Sequence, residues 1–458
     1  MALLTWVSSP SSQRVLALRN SLPFRRSAEN AAYSLADYVA QPAAMLAAAP
    51  FLVHHLGLQQ YGVWMLVSAM LSGVGILSAG FGDATVKYVS AYRARNDSAG
   101  IQRTIRATLT INLVLGLLVG GLVWTLASAI THVFRIEVEF QAPAMRAVQI
   151  SAAILPLRAI ESVFISTLRA FEHYGPAVKL NILLRISIIV SALIVSAKGH
   201  GVDTIMLATL LCSGVVVILQ AIAARRTAGC FKLFPTLEWA ALREVLAFGC
   251  FSWLQGLAGV GFSYADRFLV GMLLGTAPVA IYVLCVQAAQ PIHGVCAAIF
   301  NFLLPHMSSR REMGELQGSR RVFSVAAWAN LITATALALP LILWGRSILA
   351  LWIGPQFAVQ GRAILGILAM AYALLALNVV PHYSLLAMGD VRYVSGLNLL
   401  GGTLSLCAAV VLIPRLGLIG AALARLLYGS VTAFLMLRVT RALSRPIAIC
   451  EGVVPLSS

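Results

Sequence analysis

Arg158 and Glu161 stand three residues apart inside the apolar stretch 147–167, so a helix there carries both on one face. An ionisable side chain inside a membrane-length segment costs at least about 2.5 to 3.5 kcal/mol and faces a partner or a wet cavity. Two chemistries fit. Either the pair neutralises itself as a structural unit, or Arg158 holds a phosphate that Glu161 releases. Arg185 and Arg425 lie in apolar stretches of their own, with no carboxylate at helical spacing. A guanidinium suits phosphate because its planar fork donates paired, charge-assisted hydrogen bonds. The alternative for Arg185 is snorkelling to headgroups, and for Arg425 an ion pair elsewhere in the bundle.

Asp37, with Tyr38, Gln41 and Pro42 beside it, and Glu161 are the acids placed to bind a coupling proton or sodium. The other reading of Asp37 is a helix-end residue in headgroup water. Asp266-Arg267 either gates a cavity or caps its helix at the interface. Gln255, Gln287, Gln290 and Asn301, with Asn330 and Asn378, offer uncharged donors and acceptors that suit a hydroxyl-rich ligand or bonds between helices. His54-His55 are expected in a short external loop, too close in sequence for two ligands on one helix face, so no metal site is predicted. The chain has no G-x-x-x-x-G-K-[ST] loop, no Ser-His-Asp set and no room for a soluble catalytic domain. It is therefore read as a non-enzyme that needs no cofactor. The seven cysteines form no C-x-x-C pair and read as apolar fillers.

The elements that carry these residues follow from composition. Apolar residues make up 60% of the chain and charged residues 11%, against roughly 25% charged in soluble domains, so the chain reads as an all-α integral membrane protein. Runs long enough to cross a bilayer as helix lie near 30–53, 61–81, 107–131, 147–167, 177–197, 204–224, 246–264, 277–304, 322–344, 360–386, 393–413 and 417–438. They are apolar all round, which excludes a barrel of short alternating strands.

The net charge of +17 would suggest nucleic acid in a soluble protein, but here topology accounts for it and no nucleic-acid partner is expected. Placing the N-terminus in the cytoplasm puts Arg25-Arg26, Arg93, Arg95, Arg103, Arg106, Arg225-Arg226, Arg310-Arg311, Arg320-Arg321, Arg438 and Arg441 inside. The other side receives Arg135, Arg146, Lys198, Arg267, Arg346 and Arg415. Both termini are thus expected in the cytoplasm. The first 28 residues contain Arg and Ser without an uninterrupted apolar core. They are expected to form a cytoplasmic tail, with an organellar transit peptide as the alternative.

The two halves repeat. Leu168, Ala170, Leu180, Asn181 and Leu183 recur as Leu385, Ala387, Leu397, Asn398 and Leu400, and Phe51-Leu52-Val53 recurs as Phe268-Leu269-Val270. A duplicated membrane unit is the usual ground plan of a transporter, in which two like halves rock about a site. The division expected is a tail at 1–29, a six-helix bundle at 30–224, a linker at 225–245, a second bundle at 246–440 and a tail at 441–458. Within the linker, Leu237 to Ala247 mixes Trp239, Leu242 and Leu246 with Glu238, Arg243 and Glu244, as an interfacial helix would. A plain solvated connection is the alternative.

Gly57-Leu58-Gln59-Gln60-Tyr61-Gly62-Val63-Trp64, then Gly80-Phe81-Gly82-Asp83-Ala84 and Tyr92-Arg93-Ala94, resemble the opening helices of bacterial polysaccharide transport proteins. These are the lipid-linked oligosaccharide flippases of the multidrug/oligosaccharidyl-lipid/polysaccharide exporter superfamily. Asp266-Arg267-Phe268-Leu269-Val270-Gly271, Leu274-Gly275, Ile281-Tyr282 and Leu304-Pro305 continue the likeness into the second half, so that it spans about 30–440. The resemblance implies about twelve helices in two pseudo-symmetric six-helix bundles around a central cavity. It also implies transfer of a polyprenyl-diphosphate-linked oligosaccharide across a bacterial inner membrane, with membrane lipid and, as further partners, a polysaccharide polymerase and glycosyltransferases. Against a drug/cation antiporter of the same superfamily stands the excess of intramembrane arginine over acid. Against the major facilitator class stands the poorly formed signature at Gly82-Asp83-Ala84-Thr85. A membrane scaffold that transports nothing is disfavoured by the inward charges.

Overall fold

The structure, a computed structural model, describes residues 22–229, 235, 238–312 and 316–444; side chains are described throughout these except at 22–41, 74–80, 248, 251–263, 305, 309–312 and 316–319. Every regular element among the described residues is a helix: α1 (Leu22–Ala94), α2 (Ser98–Thr125), α3 (Ala127–Val133), α4 (Val138–Ala170), α5 (Tyr174–Ala197), α6 (Val202–Thr227), α7 (Trp239–Leu274), α8 (Thr276–Phe300), α9 (Leu303–Glu312), α10 (Leu316–Trp352), α11 (Pro355–Leu377), α12 (Val379–Ala387), α13 (Val391–Leu416), α14 (Leu418–Thr432) and α15 (Phe434–Ser444). Nine spans among the described residues are long and apolar enough to cross a membrane. Large apolar side chains such as Leu118, Leu122, Leu211, Val215 and Ile218 are exposed on them, as lipid-facing surface requires. The chain is a multi-pass membrane protein, and its contacts cluster into two compact units that part between Val283 and Leu284.

In the first unit, α1 runs through the two leading apolar stretches and is broken only at Gly57, where φ is 72° and ψ 169°. A side chain at that positive φ would be strained, so one glycine does the work of a loop. His54 and His55, expected in a loop, therefore lie in the helix before the break, and His55 Nδ1 sits 2.9 Å from the Phe51 carbonyl oxygen. The chain leaves α1 beyond Tyr92 and re-enters a helix at Asp97, whose Oδ1 accepts the Gly100 N–H at 2.8 Å and caps α2.

Helix α2 lies tight against α4. A Cβ on Gly116 would stand 2.7 Å from the Pro156 Cα, and one on Gly120 would stand 2.6 Å from the Ala152 carbonyl oxygen. This is the small-residue packing by which membrane helices approach without a hydrophobic drive. Ile105, Leu109, Val163, Phe164, Leu168 and Val217 fill the space that α2, α4 and α6 share.

Helix α7 starts at Trp239 and continues unbroken to Leu274, so the segment around Leu237 to Ala247 supplies its first turns instead of a separate helix. No glycine pair or proline separates those turns from the apolar run, and nothing stops the ladder. Its N-terminal end is tied down by the Tyr92 hydroxyl, which donates to Glu244 at 3.2 Å. Arg103 stands 3.8 Å from Glu238, and Arg106 donates to the Pro235 carbonyl at 3.4 Å. At the far end Arg135 donates to the Leu273 carbonyl at 3.0 Å, and the Thr276 hydroxyl just beyond the helix bonds Gln59, which in turn bonds Glu137.

In the second unit, α10 bends at Trp344, four residues after Pro340, where the proline removes a helical donor. Two further breaks shape the site. The chain pauses at Asn378 between α11 and α12 and at Ala433 between α14 and α15.

Candidate functional site

The charged pair of the first unit is closed on itself. Arg158 Nη1 donates to Glu161 Oε2 at 2.9 Å along α4, with Glu161 only 9% exposed. The pair thus takes the first of its two readings in this structure, each charge meeting the other. Arg185 is half-buried midway along α5, since the helix begins at Tyr174, further back than the apolar run suggests. Asp266 is buried within α7 at 8% exposure, well before the helix end. Its Oδ2 accepts the Tyr282 hydroxyl at 2.8 Å, and its Oδ1 accepts the Arg267 N–H at 2.8 Å. Arg267 lies over the Tyr264 ring, 5.0 Å from its centroid. The side chains of Asp37 and Gln255 lie outside the described residues.

The second unit holds a cavity of about 230 Å³ lined by His293 of α8, Asn378, Val379, His382 and Tyr383 around the α11–α12 break, Asn398 of α13, and Tyr428 and Thr432 of α14. Both helix breaks open onto it. Asn378 Nδ2 donates to the Gly429 carbonyl at 3.1 Å and to the Thr432 hydroxyl at 2.7 Å, tying one break to the turn before the other. Asn330 donates to the Ala376 carbonyl at 2.8 Å and catches the end of α11. These two asparagines therefore join helices, the second of the readings open for them. Tyr428 donates to Asn398 Oδ1 at 3.4 Å across the cavity. Arg425, one helical turn before Tyr428, stacks over the Tyr372 ring, 5.0 Å from its centroid. None of the lining residues is acidic.

Of the residues singled out by sequence, the structure joins Arg158 to Glu161 and sets Arg425 beside the cavity. Gln287, Gln290 and Asn301 are not part of its lining, and Gln290 and Asn301 are exposed. His293, His382, Tyr383, Asn398 and Tyr428 were not anticipated as a group. Inside an apolar run a charged group stands out, and these polar side chains stand out less. A signal existed, because each histidine follows a proline inside an apolar run, in Pro291-Ile292-His293 and Pro381-His382.

Comparison with known proteins agrees on architecture. A multidrug resistance transporter of the MATE family, of the MOP superfamily, in its inward-facing conformation, superposes with a TM-score of 0.71 at 17% identity, covering 89% of this chain and 95% of that one. The lipid II flippase MurJ in an inward closed conformation gives 0.71 at 13% identity, covering 89% and 87%. These likenesses define the fold: an all-helical membrane transporter architecture of two like halves. The family model described as polysaccharide biosynthesis protein matches residues 52–318, more than half the chain, and the protein belongs to that family. A relative from Shigella flexneri carrying the name "Putative O-antigen transporter" is 21% identical over 86% of this chain and 93% of its own length. Another from Haloferax volcanii, a "Probable low-salt glycan biosynthesis flippase", is 22% identical over 84% and 77%.

Proposed function

We propose that this protein is a flippase for a lipid-linked oligosaccharide in the assembly of a surface polysaccharide. The observation that carries the reading is membership of the polysaccharide biosynthesis family over 52–318, with relatives named for O-antigen transport and glycan flipping. The protein transports and makes no covalent bond. Its cargo is a polyprenyl diphosphate carrying a glycan, received from glycosyltransferases on the cytoplasmic face of a bacterial inner membrane and passed to a polymerase on the other. Both termini lie in the cytoplasm, and the halves 30–224 and 246–440 alternate about the path, with 225–245 as their link.

Within that reading, Arg158, Arg185 and Arg425 are the groups for the diphosphate. Gln255, Gln287, Gln290 and Asn301 meet sugar hydroxyls, and Asp266 with Arg267 marks a gate. Asp37 and Glu161 are acids able to take the coupling ion. The closed Arg158–Glu161 pair supplies a step: a phosphate that reaches Arg158 displaces the Glu161 carboxylate and takes its place on the guanidinium. A drug/cation antiporter, the alternative that shares the fold, needs an acidic pocket for cations, and the second unit's cavity is lined without an acid.

The test is a strain lacking the gene. Lipid-linked precursor held on the cytoplasmic side, with surface polymer lost and restored by the wild-type gene, supports the reading. Unchanged polymer with new drug sensitivity and no paralogue present overturns it.

A further inference from the structure

The second unit's cavity is lined without Asp, Glu, Lys or Arg, so a cation or a phosphate entering it gives up water and meets no opposite charge in the wall. Arg425 stands beside the lining and is held over the Tyr372 ring. A polyprenyl tail fits no better, because hydrocarbon leaves the amides, hydroxyls and imidazoles of the wall unpaired. At about 230 Å³ the cavity is also smaller than the roughly 300 to 1,000 Å³ of pockets that enclose drug-sized molecules.

The chemistry that does match is a small ring with hydroxyls at its edge. The rings of His293, His382, Tyr383 and Tyr428 offer flat faces to the C–H side of a sugar, and Asn378, Asn398 and Thr432 bring amide and hydroxyl groups. Hydrogen bonds within the wall leave part of this capacity to a ligand. Asn378 spends its amino group on Gly429 and Thr432 and keeps its carbonyl oxygen, whereas Asn398 accepts the Tyr428 hydroxyl through Oδ1 and keeps its amino group. An acceptor and a donor thus face the same space from two elements, and neighbouring sugar hydroxyls, each donor and acceptor at once, satisfy both.

Resting on the flippase reading, we propose that this cavity is a subsite for one sugar ring of the lipid-linked glycan, with Asn378 and Asn398 binding its hydroxyls and the surrounding rings covering its apolar faces. It is a glycan contact that Gln287, Gln290 and Asn301, outside this lining, do not make.

The experiment uses the purified full-length protein in detergent and two probes: the lipid-linked oligosaccharide that accumulates in the strain lacking the gene, and polyprenyl diphosphate without sugar. Binding is read from the rise of the melting midpoint with probe concentration. Wild type binds the glycosylated probe the more tightly. Asn398→Leu/His382→Phe removes hydroxyl partners and keeps the ring at 382, while Ala297→Phe fills the cavity and spares its polar groups. Each weakens binding of the glycosylated probe about tenfold, the worth of one to two hydrogen bonds, and leaves binding of the bare diphosphate unchanged. Each variant is first melted without probe, so that a fold defect in one leaves the other to decide. A folded variant that binds the glycosylated probe as wild type does overturns the proposal and leaves the flippase reading standing. Equal weakening for both probes marks a structural effect and also overturns it, as does a wild type that binds the two probes alike. Loss of the fold in both variants shows a wall that serves packing alone and overturns it too. If no precursor accumulates in that strain, the flippase reading falls and the proposal with it.

Discussion

The two units treat buried charge in opposite ways. In the first, Arg158 has its own carboxylate one turn away at 2.9 Å, so α4 carries a pair with no net charge. In the second, Arg425 rests on an aromatic face, beside a cavity lined by two histidines and no acid. The first arrangement is a locked pair that a competing anion has to open. The second holds its guanidinium on a ring face, beside a cavity with no carboxylate in its lining. The two units thus divide the electrostatic work.

The largest expected effect tests the locked pair. Arg158→Leu strands Glu161 in a buried site and costs about 3 to 5 kcal/mol, seen as a large drop in the melting midpoint of the purified protein. Arg158→Leu/Glu161→Leu, by contrast, returns close to wild-type stability, because a hydrophobic pair replaces a desolvated ionic one; a double variant as unstable as the single would dissolve the contrast between the units. Next comes Asn378→Leu, which removes both bonds across the helix breaks and costs about 1 to 3 kcal/mol, while Asn181→Leu, far from any such break, shifts the melting midpoint little. Arg425→Leu costs about 1 to 2 kcal/mol, the loss of stacking on Tyr372, so the melting order should be Arg158→Leu well below Arg425→Leu.

The smallest effect concerns Tyr92, beyond the apolar run 61–81. Burial first, and the Glu244 carboxylate second, raise its hydroxyl above the usual tyrosine range. A raised acid keeps its proton in the folded state, so its stabilisation is whole below pH 10 and declines as pH climbs past it. Tyr92→Phe therefore lowers stability by about 1 kcal/mol or less at neutral pH and flattens the loss seen in alkaline melts.

Much of this architecture was legible because membrane spans announce themselves by length. The run 30–53 and the run 61–81 became the two arms of α1, and only the form of their junction, a single Gly57, was missed. Sequence also placed Arg158 and Glu161 on one face, since three residues along a helix fix that geometry. The cavity was not legible in the same way. Its lining comes from α8, α11 to α15 and the junctions between them, and no periodicity within one helix tells which residues of five others will meet. At the start of helix α7 the sequence left open an interfacial helix or a plain connection over Leu237 to Ala247; the structure runs Trp239 to Leu274 as one helix, with Tyr92 and Arg103 taking up Glu244 and Glu238.

The fastening of α7 at both ends bears on how the protein is made. The helix's partners Tyr92, Arg103, Gln59 and Arg135 all precede it in the chain, and they wait without it until the ribosome has extended the chain past Thr276. The first bundle therefore completes itself only after Leu274 has been threaded into the bilayer. A nascent chain halted at 224 leaves that bundle open along one flank, exposed to chaperone and protease, and one halted after Val283 closes it.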